Sequence, residues 1–300
     1  MIAFVMSGGG NRGALEAGAL LELFEAGLRP DMLVGSSAGA LNAGFLATNP
    51  TLEGARHLAD VWSNARRDDF FPGGMVAMVA RLAQGRSLFP SDPIRRFAEK
   101  NMPADKRTFG DVKPLRLYIT AANLNNAQLY LWGERDDGLI LDAVIASAAH
   151  PLAFPPVDYQ GMQLVDGGVV ANVPVGIAID KGATEIYILN VGYAGEPVPD
   201  QNNIISIVNR AINVMMYQHF LKDLKSAAAR TDVKLNHIHM NQFQGSQMWD
   251  LEHGAQMVEF GRRAARDYLT NPTGVSDISF APPGSELQVT PPPGAEVYTA

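Results

Sequence analysis

IAFVMSGGGNRGALEAGALLELFEAGLRPDMLVGSSAGALNAGFLA, residues 2–47, carries the reading of the fold. Ile2–Met6 is a short apolar run stopped by Ser7-Gly8-Gly9-Gly10, the pattern of a buried strand entering a tight loop. Ala14–Ala26 places Leu15, Leu20, Leu23 and Phe24 at helical spacing, and Gly27 stands where a helix stops. Asp31–Val34 is a second short strand, Gly35–Gly39 a sharp turn and Ala40–Ala47 a second helix. Strand, loop, helix, strand, turn, helix in that order indicates a parallel α/β sheet.

The rest of the chain extends this pattern. Residues 52–101 read as helical and irregular, broken at Pro72-Gly73-Gly74 and Pro90–Pro93. Leu115–Ala122 and Gln128–Trp132 are strand-like, with Asn125-Asn126 as a hairpin turn. Asp142–Ala149 reads as helix, Gln163–Val165 as a strand tip and Pro174–Asp180 as a helix opened by proline. Thr184–Val191 is the clearest buried strand, followed by a long helix Ile204–Arg230, a strand Val233–Met240 and a last helix Gln256–Leu269. Pro282, Pro283 and Pro291–Pro293 mark an irregular tail. The expected organisation is one domain over residues 1–280 and a Pro-rich tail over 281–300.

Composition narrows the chemistry. The 300 residues include 24 Lys and Arg against 31 Asp and Glu, a net charge of −7, which argues against nucleic acid as a partner. Cysteine is absent, so a thiol nucleophile, a disulfide framework and a thiolate metal site are excluded together. The N-terminus has no basic region and its apolar run ends at Met6, so neither a signal peptide nor a spanning segment is expected there. A cytoplasmic protein is the expectation.

Gly8, Gly10 and Gly13 fit G-x-G-x-x-G between a strand and a helix, the fingerprint of a dinucleotide site and hence of an NAD(P)-binding oxidoreductase. The acidic residue that should end the second strand is missing: Asp31 begins that strand, and Gly35-Ser36-Ser37 ends it. The loop has a second use. Free N–H groups at a helix start stabilise any local negative charge, including the oxyanion of an acyl-transfer intermediate. Arg12 either reinforces that field or anchors the loop by hydrogen bonds.

Gly35-Ser36-Ser37-Ala38-Gly39 matches G-x-S-x-G in the strand-to-helix setting that projects a serine hydroxyl at the carboxyl end of a sheet. That hydroxyl needs a base. Six histidines are available: His57, His150, His219, His237, His239 and His253. None lies in a motif, so a Ser–His–Asp carboxylesterase of another class stays open. Asp166, in Asp166-Gly167-Gly168 after a strand, is the stronger candidate, because flanking glycines let the backbone carry a carboxylate close to another group.

SGGGNRG (Ser7–Gly13), GSSAG (Gly35–Gly39) and DGG (Asp166–Gly168), in that order, resemble the patatin-like phospholipase family. IASAAHPLAFPPV (Ile145–Val157) and VVANVPV (Val169–Val175) strengthen the likeness, which covers about residues 1–192. The resemblance implies a three-layer α/β/α sandwich around a mostly parallel sheet. It implies a Ser–Asp dyad with Ser37 as nucleophile and Asp166 as base, and an oxyanion hole at Gly8, Gly9, Gly10 and Gly13 with Arg12 nearby. It further implies hydrolysis of lipid carboxylic esters through an acyl-enzyme, with no metal or cofactor.

His150 departs from the family pattern, which has a small or apolar residue there. Packing at the pocket rim is its expected role, with assistance to the dyad as the alternative. Phe70, Phe71, Met75, Val76, Met78 and Val79 either pack, line an acyl channel or touch a membrane surface. On the long helix, Ile204, Val208, Ile212, Met215 and Met216 form a stripe expected to pack in the core, with a lipid-facing cap as the alternative.

Overall fold

Successive side chains of a strand point to opposite faces, and β1 (Ile2–Met6) divides its residues accordingly: Phe4 and Met6 join one apolar core, Ala3 and Val5 another. A strand buried on both faces belongs at the centre of a layered sheet. The computed structural model describes residues 1–84, 87–103, 105–151, 153–192, 200–243 and 246–272, so the Pro-rich segment 281–300 and the end of the expected domain lie outside the described residues.

After β1 come α1 (Gly13–Glu25), β2 (Met32–Gly35), α2 (Ala38–Thr48), α3 (Leu52–Asn64), α4 (Arg67–Phe70), α5 (Met75–Ala83) and α6 (Asp92–Asn101). The middle of the chain forms β3 (Arg116–Asn123), β4 (Gln128–Trp132), α7 (Ile140–Ser147), β5 (Val157–Tyr159), β6 (Met162–Asp166), α8 (Gly168–Ala171) and α9 (Val175–Asp180). Then follow β7 (Glu185–Asn190), α10 (Ile204–Ala228), β8 (Lys234–His239) and α11 (Gly254–Thr270). The sheet runs β5-β6-β3-β2-β1-β7-β8, with β4 also paired to β3. The β3-β2-β1-β7-β8 pairs are parallel; β4 and β6 join β3 antiparallel, and β5 joins β6 the same way.

Helices cover both faces. The core holding Phe4, Met6 and Leu33 takes in side chains of α1, α2, α3, α7 and α11; the core holding Ala3, Val5 and Val34 takes in α9 and the C-terminal half of α10. The arrangement is the expected three-layer α/β/α sandwich. α11 seats on α1 at two glycines: a Cβ on Gly18 would stand 1.9 Å from the Val258 carbonyl oxygen, and one on Gly261 would stand 1.8 Å from that of Leu15. Only hydrogen at these positions lets the backbones approach so closely.

Two strand ends converge on one edge of β3. Ile119 pairs with both Gly35 of β2 and Trp132 of β4, which therefore flank β3 on opposite edges. Ala121, Ala122 and Asn123 pair with both β4 and β6, so β6 shares the edge of β2. β2 thus ends opposite Ile119, and β6, running the other way, ends at Asp166 opposite Ala121. The register of β6 is set by a two-residue hairpin from β5, with Tyr159 paired to Met162 and positive φ at Gln160 (50°) and Gly161 (79°).

Three expectations change. Helix α2 begins at Ala38, inside the supposed turn, because Ser37 alone makes the bend. The segment 68–90 divides: Phe70 and Phe71 are buried, Met78 packs against the core, and Met75, Val76 and Val79 are exposed. The stripe on α10 does not pack as expected. Ile204 is 74% exposed and Met215 55%, and Val208 is exposed as well. The helix docks instead through Phe220, Leu224 and Ala227, and stepping back from Phe220 at helical spacing leads to Met216, Asn213 and Asn209. Met216 lies on that face; the stripe through Ile204, Val208 and Met215 is one residue, about 100°, out of phase with it.

Candidate active site

Ser37 stands between β2 and α2 with φ 54° and ψ −119°, a backbone state that non-glycine residues rarely hold. Its neighbours make the bend feasible. A Cβ on Gly35 would lie 2.3 Å from the Gly39 carbonyl oxygen, and one on Gly39 would lie 2.5 Å from that of Met6. The Gly39 amide donates to the Ser7 carbonyl at 3.1 Å, clamping the start of α2 to the end of β1. The Ser37 amide donates to Ser147 Oγ at 2.8 Å, which ties the bend to the end of α7.

Asp166 arrives from the other direction. Because β2 and β6 end two positions apart along β3, the Ser37 hydroxyl donates to Asp166 Oδ2 at 2.6 Å, although 129 residues separate the two in sequence. Asp166 is buried, and Oδ1 accepts the Gly168 amide at 2.7 Å. Burial pushes its carboxyl above the ordinary aspartate range, while charge on His150 and the hydrogen bonds from Ser37 and Gly168 pull the other way. Gly167 is required by Thr120 of β3, whose Oγ1 would stand 2.1 Å from a Cβ there. Gly168 faces Met216 of α10 and Asn172.

The glycine loop lies against the same point. A Cβ on Gly8 would meet Asn172 Oδ1 at 2.4 Å and the Ser37 Cβ at 3.0 Å, so Gly8 lets the loop close on the serine. Its amide is engaged by the Asn172 carbonyl at 3.0 Å, and the Gly13 amide by the carbonyls of Gly10 and Asn11. These two amides are therefore not open donors, a correction to the expectation that all four glycines share one role. Among the described residues, the amides of Gly9, Gly10 and Ala38 have no protein acceptor. Arg12 Nε donates to the Gly9 carbonyl at 3.3 Å, so the side chain anchors the loop. Gly10 holds φ 61°, and Gly13 lies against Trp62.

Behind the loop is a buried polar cluster that no motif announces. Glu16 on α1 accepts from the Ser7 amide at 2.8 Å, from Ser7 Oγ and from Asn42 Nδ2. Asn42 also donates to the Gly13 carbonyl and accepts from Trp62 Nε1 at 2.7 Å. Burial raises the Glu16 carboxyl to about 8, against the opposing pull of these bonds and of Arg12.

The serine opens into a cavity of about 240 Å³. Leu41, Trp62, Phe70, Phe71, Ile94 and Phe154 line it from one side of the sheet, and Asn172, Asn209, Asn213 and Met216 from the other. His150 is the one histidine in the lining, with Nδ1 buried and without a hydrogen-bond partner. His57 and His219 are exposed, and His237, pushed down to about 3 by burial, faces Asn190. Asp31 accepts the Ile2 amide at the opposite end of the sheet, so it has no part in this site. Among the described residues no group of three or more His, Asp and Glu side chains could hold a metal ion, and no helix is long and apolar enough to cross a membrane.

A family model described as patatin-like phospholipase matches residues 4–179, more than half of the chain. The chain belongs to that family. Among relatives of this patatin-like protein, the lysophospholipase nte1 of Emericella nidulans is 28% identical over 218 residues, covering 70% of this chain and 13% of its own. The uncharacterized protein YqhO of Bacillus subtilis is 30% identical over 188 residues, 57% of this chain and 64% of that one. The chain thus spans about an eighth of the first relative and under two thirds of the second. The crystal structure of VipD from Legionella pneumophila aligns with 89% of this chain and 66% of its own at 16% identity and a TM-score of 0.47.

The matched segment of this patatin-like chain does not contain the whole cavity. Asn209, Asn213, Ser246, Met248 and Leu251 lie beyond it. Asn172, within VVANVPV, and Ser147, within IASAAH, hold the glycine loop and the Ser37 amide, roles that no motif in the sequence signals.

Proposed function

We propose that this protein is a serine acyl hydrolase that cleaves carboxylic esters of lipids, with Ser37 as nucleophile and Asp166 as general base. The observation that carries the reading is the 2.6 Å hydrogen bond from Ser37 Oγ to Asp166 Oδ2 at the floor of the cavity. Ser37 Oγ attacks the ester carbonyl carbon while its proton passes to Asp166. An aspartate is a weak base in water, but burial strengthens this one, and contact with the hydroxyl removes the cost of bringing the two together.

The carbonyl oxygen of the tetrahedral intermediate, now negative, is met by the open amides of Gly9, Gly10 and Ala38. Collapse breaks the bond to the alkoxide, which takes the proton from Asp166 and leaves as the alcohol. Water then attacks the acyl-enzyme, giving its proton to Asp166, and the acid is released as Ser37 recovers that proton. Each proton taken is returned, so the cycle consumes only ester and water. The apolar residues that α5 and α10 expose make transient contact with the lipid surface from which the ester is drawn.

A fluorophosphonate probe tests the assignment. It should label Ser37, with the label absent in Ser37→Ala and peptide mapping locating it at that residue. Labelling at another serine overturns the nucleophile. Full esterase activity in Asp166→Asn, with loss in His150→Ala, would favour the Ser–His–Asp alternative.

A further inference from the structure

The two sides of the cavity differ in chemistry because they come from different layers of the fold. One side is built on the core that contains Phe4 and Met6 and consists of aromatic and aliphatic side chains; Trp62 and Phe70 stack, and Phe71 packs on Phe154. The other side is built by Asn172 and by α10. The C-terminal anchors of α10, Phe220 and Leu224, fix its rotation, and that rotation turns Asn209 and Asn213 into the cavity while Ile204, Val208 and Met215 face outward. The inner face of α10 thus joins two carboxamides, Asn209 and Asn213, to the apolar Met216 and Phe220, while hydrocarbon also faces outward; inward carboxamides are unusual for a core element and are explained by what enters the cavity.

The polar groups on this side are uncharged. Asn172 is 7% exposed; Nδ2 points to the Gly8 carbonyl at 3.5 Å, and Oδ1 has no hydrogen-bond partner. That oxygen is packed between Gly8 and Gly168, where a Cβ would stand 2.4 and 2.8 Å from it, so Asn172 holds the wall of the cavity in place. Asn209 and Asn213 are half-buried, and each carboxamide offers both a donor and an acceptor. Among the described lining residues the only cation of the Lys or Arg type is Arg12, which is turned to the Gly9 carbonyl.

We propose that the Asn172, Asn209 and Asn213 side is a leaving-group subsite for an uncharged polyol, so that the preferred substrate is an acyl ester of glycerol or a like alcohol over the same ester bearing a phosphate. The proposal rests on the hydrolase reading above. The acyl chain lies along Trp62, Phe71 and Phe154, the scissile ester sits at Ser37, and the free hydroxyls of the alcohol exchange hydrogen bonds with the two carboxamides of α10. A hydroxyl both donates and accepts and therefore matches both carboxamides. A phosphate brings only acceptors and so leaves the acceptor end of each carboxamide unpaired.

The test uses three soluble esters with one acyl chain: 1-hexanoylglycerol, 1-hexanoylglycerol 3-phosphate and p-nitrophenyl hexanoate. The wild-type kcat/KM for the glycerol ester should exceed that for its phosphate by at least about tenfold, the scale of one well-placed hydrogen bond. In Asn209→Leu/Asn213→Leu that ratio should fall to within about twofold, mainly through loss on the glycerol ester. General damage to the fold would lower both esters together and leave the ratio in place.

The proposal is overturned if the phosphate ester is cleaved as fast as the glycerol ester, or if the ratio survives in the double variant. It is also overturned if p-nitrophenyl hexanoate is cleaved in a Ser37-dependent way while neither glycerol ester is. Absence of Ser37-dependent turnover of all three would instead overturn the hydrolase reading, and the subsite with it.

Discussion

The floor and the roof of the cavity are built on opposite terms. At the floor, β1, β2 and β6 end against one another, and Gly8, Gly35, Gly39 and Gly167 stand where a single methyl group would collide with backbone or with a neighbouring side chain. Ser37 and Asp166 have little freedom there. The roof is α10, which lines the cavity with Asn209, Asn213 and Met216; Ile204 on this helix is 74% exposed, and Met75 and Val76 of α5 are 79% and 86% exposed. The contrast separates two tasks. The floor fixes one chemical step at close tolerance, whereas the roof meets molecules that arrive and leave and can be varied without disturbing that step.

The sharpest way to break this contrast is at the floor. Ser37→Ala should lower turnover of p-nitrophenyl hexanoate by about 10⁴-fold or more while the thermal unfolding curve stays near that of wild type. Asp166→Asn should cost about 10²–10⁴-fold in kcat, the usual weight of a positioned base. Gly39→Ala should destabilise the fold by about 1–3 kcal/mol in a denaturant titration, because the added methyl lands 2.5 Å from the Met6 carbonyl oxygen. Activity and stability should fall together in that variant, unlike in Ser37→Ala.

Glu16 probes the support beneath the floor. Its carboxyl is raised from 4.5 to about 8, so between these values the folded protein holds a proton that the unfolded chain releases. The contribution of Glu16 to stability is therefore complete below pH 4.5 and is lost as pH rises through about 8. Glu16→Gln cannot ionise. It gives up one hydrogen bond, since its amide group would face the Asn42 amide. The stability difference between wild type and Glu16→Gln should shift against wild type across that range, as read from melting temperatures at pH 5 and pH 9.

The smallest expected effect is at the roof and on α5. Val76→Asp and Ile204→Asp, at exposed positions, should change stability by no more than about 0.5 kcal/mol. They should slow hydrolysis of esters presented in vesicles more than that of soluble esters. Equal slowing on both would erase the functional distinction between the two regions.

The floor was also the part legible in the sequence. Its constraints act over a few residues: the G-x-S-x-G turn, the run of glycines after β1 and Asp166-Gly167-Gly168 each write a backbone requirement into adjacent letters. The sheet was legible for the same reason, since Ile2–Met6 and Gln128–Trp132 appear with the bounds read from their apolar patterns. The roof depends on rotation and docking between distant segments. Nothing near Asn209 announces that Phe220 and Leu224 will anchor α10 with its apolar stripe outward. The division of labour among the four glycines was equally hidden, because Gly8 is taken up by the carbonyl of Asn172, which arrives from another part of the chain.

The hairpin at Gln160-Gly161 has a role out of proportion to its exposure. In an antiparallel ladder a slip of one residue turns every side chain to the other face. Were β6 to enter one position early or late, Asp166 would leave the Ser37 side of the sheet, and the carboxylate would be as absent as if it had been mutated. The two left-handed residues at the far end of β6 therefore serve as a gauge block. They measure out the strand so that its last residue comes to rest opposite Ala121, and a deletion at that exposed corner would be felt first by the chemistry.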